Sequence, residues 1–157
     1  TDLVYYYDLS LFDERTPITT TNAKKTFTLP VGNKKPLRIT LTWTDKEGCS
    51  DISCPPATNP RLVNDLDLFV TSPSNVQYNG NDITSPYNDQ WDRKNNVERV
   101  EIVAPEAGVY TVEVRGFNLP FPQDFALVAS YHNLWIYSMP TPARATCINS
   151  NGQTIPC

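Results

Sequence analysis

Two aspartates stand two residues apart in LVNDLDLFV (residues 62–70). On an extended chain, positions i and i+2 share one side, so Asp65 and Asp67 lie about 6.5–7 Å apart along the strand. A glycosidase-type acid/base pair needs two carboxylates facing each other across a substrate, whereas neighbours on one strand point in parallel. A hard cation such as calcium takes about six to eight oxygens from carboxylates, amides, carbonyls and water. The plainest alternative is that both carboxylates face water. The even positions of the stretch (Leu62, Asn64, Leu66, Leu68, Val70) form the mostly apolar side. The aspartates therefore fall on the opposite side, where they need not be buried.

Further oxygen donors follow in NGNDITSPYNDQWDRKNNVE (residues 79–98), among them Asn79, Asn81, Asp82, Asn88, Asp89, Asp92, Asn95, Asn96 and Glu98, while Asp45 closes an earlier strand. Soft ligands are absent from this stretch, which disfavours zinc and copper. Any single Asn or Asp in such a loop is best explained as a turn or cap residue. The cluster as a whole points to calcium.

Nucleophilic catalysis finds little support. The chain has one histidine, His132, on which any Ser-His-Asp triad would depend, and no G-x-S-x-G elbow. His132 reads as a surface or strand-end residue. Trp91, Trp135 and the Tyr5–Tyr7 run offer aromatic rings for a glycan platform, so a carbohydrate- or protein-binding module is the competing function.

Four cysteines allow three pairings. The local pairs Cys49–Cys54 and Cys147–Cys157 are the expected ones. A zinc site is the rival, but structural zinc sites use tighter spacing than the four and nine residues that intervene here. Two disulfides imply an oxidising compartment, extracellular or lumenal. The chain opens at Thr1 with no visible leader, as a mature product or an excised piece would.

The elements that must position these groups are strands. LRITLTW (residues 37–43), KTFTL (25–29), VERVEIV (97–103), VYTVEVRG (109–116) and DFALVASY (124–131) alternate with period two. Turn signals separate them at 30–36, 72–73, 79–80, 105–108 and 118–122, close to the spacing of an all-β sandwich or barrel. KTFTL is expected to end at Pro30. The front, LVYYYDLSLF (residues 3–12), suits an edge strand or a docking surface. Residues 1–137 are expected to form the sandwich, and residues 138–157 a Pro-rich, irregular, cysteine-containing tail or linker. The 157 residues suffice for one core. A net charge of −4 without a basic stripe argues against nucleic-acid binding. No apolar run of about 18 residues encodes a membrane helix.

LTWTD, LVNDLDLFVTSPSNVQYNGND and SPYNDQWDRKNNVERVEIVAPEAGVYTVEVRGFNLPFPQDFALVASY together resemble one family, over residues 24–131. It is the C-terminal β-barrel (jelly-roll) domain of subtilisin-like serine proteases of the oxidatively stable alkaline protease type, and amoebal subtilisin-like proteases carry similar domains. The resemblance implies an all-β, antiparallel jelly-roll sandwich of about eight strands with long loops. It implies a secreted, non-catalytic domain that binds calcium and stabilises a subtilisin-type catalytic domain of the same parent protein. Residues matching the pattern are Asp65, Asp67, Asp82, Asn95 and Asn96, followed by Asp45, Asp92 and Glu98. GCSDISCPPATNPR (residues 48–61) and the tail from Ser138 depart from the pattern of bacterial relatives.

Overall fold

The computed structural model describes residues 8–32, 35–47, 62–131 and two short strands near the C-terminus; side chains are described from residue 16 to residue 131 within the first three segments. The strands are β1 (Asp8–Ile18), β2 (Lys24–Val31), β3 (Leu37–Thr42), β4 (Asp65–Thr71), β5 (Gln77–Asn79), β6 (Val97–Ile102), β7 (Gly108–Asn118), β8 (Gln123–Tyr131), β9 (Thr146–Ile148) and β10 (Thr154–Pro156). The described residues contain no helix.

Eight strands make two antiparallel four-stranded sheets, ordered β1-β8-β3-β6 and β2-β7-β4-β5. The pairing is nested: β1 with β8, β2 with β7, β3 with β6, β4 with β5. This is the rolled double Greek key of a jelly roll, and the expected sandwich is observed.

The alternation in the sequence explains the packing. Leu37, Ile39 and Leu41 of β3 point inward, as do Tyr110, Val112 and Val114 of β7. Phe125, Leu127, Ala129 and Tyr131 of β8 do the same. Leu66, Leu68 and Val70 bring the even positions of β4 to this core. Each fully buried Leu or Val contributes about 1.5–3 kcal/mol relative to its exposed state.

Two expectations need correction, and the edge strand near the N-terminus proves longer than its aromatic run. β2 runs through Pro30, which pairs with Val109. It can do so because β2 is an edge strand, where a residue without an N–H can face away from the ladder. The edge strand expected near the N-terminus extends to Ile18, paired with β8 on its only neighbouring side. Within the tail, β9 and β10 form an antiparallel two-stranded ladder where irregular chain was expected.

Candidate functional site

β4 lies between β7 and β5, so its outward side chains sit in the middle of the second sheet. Asp65 and Asp67 are only 5% exposed each, which removes the alternative that both carboxylates face water. The cause is the connection from β5 to β6, residues 80–96, which folds back across that side. Trp91 stacks on Phe69 of β4, ring centroids 6.1 Å apart and planes 19° apart.

Short-range polar chemistry shapes this connection. Asp82 accepts the amides of Thr84, Asp89 and Gln90, and the Asn79 side chain donates to the Gln90 carbonyl at 2.8 Å. Asn81 adopts the left-handed region, with φ 60°. It donates from Nδ2 to Asp92 at 2.6 Å and to the Val97 carbonyl at 2.8 Å. Asp92 also accepts the amides of Lys94 and Asn95 and the Asn95 side chain. Partial burial alone would raise the Asp92 pKa, but the donors from Asn95, Asn81 and the Lys94 and Asn95 amides hold it below the usual carboxylate value.

The next residue, Arg93, is thereby aimed at β4. Its Nη1 donates to Asp67 Oδ1 and approaches both Asp65 oxygens at 3.4 Å, while Nη2 lies 3.4 Å from Asp67 Oδ2. The guanidinium carbon is 3.5 Å from the Phe117 ring centroid and 5.5 Å from that of Trp91, within cation–π range. One guanidinium thus faces two carboxylates. Burial pushes the Asp65 pKa up to about 6 against the opposing charge of Arg93, with Asp67 adding to the rise. Asp67 is raised as well, again by burial and again opposed by Arg93.

Glu98 belongs to the same electrostatic neighbourhood. In VERVEI it alternates with Val100 and Ile102, so it points into the sandwich and is 1% exposed. Burial pushes its pKa up to about 9, with Asp67, Asp92 and Asp65 adding to the rise and the Leu68 amide opposing it. Among the described residues, two buried side-chain oxygens, Glu98 Oε1 and Asn79 Oδ1, have no hydrogen-bond partner.

The remaining expected site residues serve elsewhere. Asn95 braces Asp92, and Asp82 holds its own turn. Asn96 donates to the Trp43 carbonyl at 2.9 Å. Asp45 accepts the amides of Val63 and Asn64, each at 2.8 Å, and so fixes the entry to β4. Sequence reasoning missed Arg93; its signal was a cation placed among carboxylates two residues after a tryptophan. Cys49, Cys54, Cys157, His132, Trp135 and Tyr5–Tyr7 lie outside the described residues, as does the side chain of Cys147.

The oxygens are of the type that calcium takes: the carboxylates of Asp65, Asp67 and Glu98 and the amide oxygen of Asn79, with Glu98 Oε1 and Asn79 Oδ1 lacking donors. As they stand, no three acidic, histidine or cysteine side chains among the described residues converge closely enough to hold an ion. Arg93 fills the position between the two aspartates. The arrangement is a pair of buried carboxylates closed on an internal cation.

A family model described as the bacterial pre-peptidase C-terminal domain matches residues 21–116. The match spans β2 to most of β7 and includes Asp65, Asp67, Arg93 and Glu98. The search of curated proteins found no match.

Proposed function

The chain belongs to the bacterial pre-peptidase C-terminal domain family, and we propose that it is the calcium-binding, non-catalytic domain of a secreted subtilisin-like serine protease, where it stabilises the catalytic domain. Domains of this family occur at the C-terminus of some proteases, outside the catalytic unit. The observation that carries the reading is the position of the family match, which covers the strands and the connection in which Asp65, Asp67 and Glu98 are each buried. Among the described residues no helix is long and apolar enough to cross a membrane. The two expected cysteine pairs support an oxidising, extracellular setting.

Asp65, Asp67 and Glu98 would hold the ion, with Asn79 Oδ1 as a neutral donor. Calcium would supply the positive charge that lets three buried carboxylates stay ionised together. Holding the ion would require these groups of β4, β5 and β6 to draw closer than they stand, and occupancy would then tie the edges of the two sheets.

Thermal unfolding of the 157-residue chain with calcium or with EDTA tests the metal reading. Binding only the native state adds about 2.7 kcal/mol at a hundredfold excess over Kd, so the midpoint should rise by about 5–10 °C in calcium. Equal midpoints would sink it. Parentage is tested by the coding sequence upstream of Thr1, where a subtilisin-type Asp, His and Ser unit is expected; a catalytic unit of another protease class would overturn it.

A further inference from the structure

We propose that Asn79 is a deamidation site gated by the connection of residues 80–96: the closed connection protects it, and its conversion to aspartate or isoaspartate unlatches that connection. The proposal is independent of any metal.

Asn79 precedes Gly80. A glycine has no Cβ to hinder its backbone nitrogen, which can then reach the side-chain amide before it. The Gly80 nitrogen bonds to Asn79 Cγ, and the side-chain nitrogen leaves as ammonia, carrying off the Gly80 proton. Water then opens the cyclic imide on either side, giving aspartate or isoaspartate. No other reactant is needed.

The fold holds this chemistry off. Asn79 is 1% exposed, and it ends β5 in the extended conformation rather than the folded-back shape that ring closure requires. The attacking group, the Gly80 N–H, is tied to the Leu68 carbonyl at 2.8 Å. Asn79 Nδ2 donates to the Gln90 carbonyl at 2.8 Å. Its Oδ1 meets no donor, so nothing stabilises the oxyanion that attack would create. Packing also fixes the labile dipeptide, because a Cβ at residue 80 would stand 2.2 Å from Glu98 Oε2.

The gate is the far part of the connection. It supplies the Gln90 carbonyl and the Tyr87 carbonyl, which accepts the Asn79 amide at 2.7 Å. Trp91 on Phe69 and Arg93 on Asp67 hold it down. Lifting it frees the Asn79 side chain and leaves the sandwich core untouched, a local opening of the kind that precedes global unfolding. The product prevents reclosure. A carboxylate has no N–H for the Gln90 carbonyl, so two acceptors would face each other. Isoaspartate also adds a backbone atom where Asn79 pairs with Phe69.

The test is peptide mass spectrometry of the 157-residue chain incubated in EDTA at neutral pH. Asn151–Gly152 is a second such dipeptide, and in denaturing urea both should convert at the same rate. In native buffer Asn79 should convert at least about a hundredfold more slowly than in urea, in proportion to the open population. Trp91→Ala should speed this about tenfold while the cooperative unfolding transition persists. Asn79→Asp should be cut by trypsin after Arg93 about tenfold faster than wild type. If Trp91→Ala does not fold, wild type in urea far below its midpoint decides. Local opening exposes little surface, so the rate should rise only shallowly there. A rise with the full slope of global unfolding overturns the gate, as does an unchanged rate in folded Trp91→Ala. Native conversion at the denatured rate overturns the protection, and cleavage of Asn79→Asp at the wild-type rate overturns the unlatching.

Discussion

Glu98 crosses from one sheet to the other: its Oε2 accepts the Leu68 amide at 2.6 Å. The contact exists because β5 is short. β5 pairs with β4 only at Phe69, Val70 and Thr71, so the β4 edge at Leu68 lacks a strand partner on that side. The Gly80 amide satisfies the Leu68 carbonyl at 2.8 Å, and Glu98 of β6 satisfies the amide. A carboxyl group thus completes a backbone ladder at an edge of the sandwich.

The burial of Glu98, which outweighs that hydrogen bond, makes stability fall with rising pH when no metal is present. The folded state keeps a proton on Glu98 up to about pH 9, whereas the unfolded chain loses it near the model value of 4.5. The stabilisation is complete below the lower value and is lost as pH rises through the higher one. Asp65, raised to about 6, acts in the same direction over a narrower range. The charged groups facing Glu98 are Asp67, Asp92 and Asp65, with Arg93 beyond them. Urea unfolding in EDTA should show stability declining between about pH 5 and pH 9, by up to about 1.4 kcal/mol per unit for one proton. Glu98→Gln should flatten most of that slope. An unchanged slope would mean that Glu98 is ionised in the fold.

Gly80→Ala should destabilise through crowding. A Cβ there would stand 2.2 Å from Glu98 Oε2 and 2.8 Å from Glu98 Cβ. The carboxylate is tied to Leu68 and the Cβ is fixed by β6, so neither can retreat. The expected loss is about 1–3 kcal/mol in urea unfolding. Pairing the change with Glu98→Ala should recover part of it, because the oxygen in the way is then gone.

Asp45 was expected among the metal ligands, yet its carboxylate already serves backbone amides at the start of β4. Oδ1 accepts Lys46 and Asn64, and Oδ2 accepts Val63. Asp45→Ala should cost about 1–3 kcal/mol, and equally in calcium and in EDTA. A loss seen only in calcium would return Asp45 to the metal site.

The contrast between Asp45 and Asp65 shows where sequence reading stops. Period-two alternation assigned the inward residues of β3, β7 and β8 because each depends on its own strand alone. The same alternation placed Asp65 and Asp67 opposite Leu66 and Leu68, which is what the fold has. It could not say that Trp91 and Arg93, more than twenty residues on, would cover them. That cover depends on a long connection held by Asp82, Asn81 and Asp92, and each of these reads in isolation as an ordinary turn residue. Glu98 was closer to legible, since it alternates with Val100 and Ile102. Pro30 misled for the opposite reason: a proline ends a central strand, but β2 lies at an edge.

The polar pair Asn64 and Gln123 should prove energetically coupled. Asn64 Nδ2 donates to Gln123 Oε1 at 2.8 Å, and both residues are buried. Asn64 also accepts the Phe121 amide at 3.3 Å, and its carbonyl accepts the Trp43 indole N–H at 3.1 Å. Gln123 in turn donates to the carbonyls of Thr44 and Asp124. Removing either side chain leaves the other's amide group without its partner, at a cost of about 1–3 kcal/mol for the single variants Asn64→Ala and Gln123→Ala. In the double variant the orphaned group is itself gone, so its cost should fall short of the sum by about 0.5–3 kcal/mol. Urea unfolding of the four proteins closes the cycle. Agreement of the double variant with the sum to within about 0.3 kcal/mol would show that the pair contributes nothing as a pair.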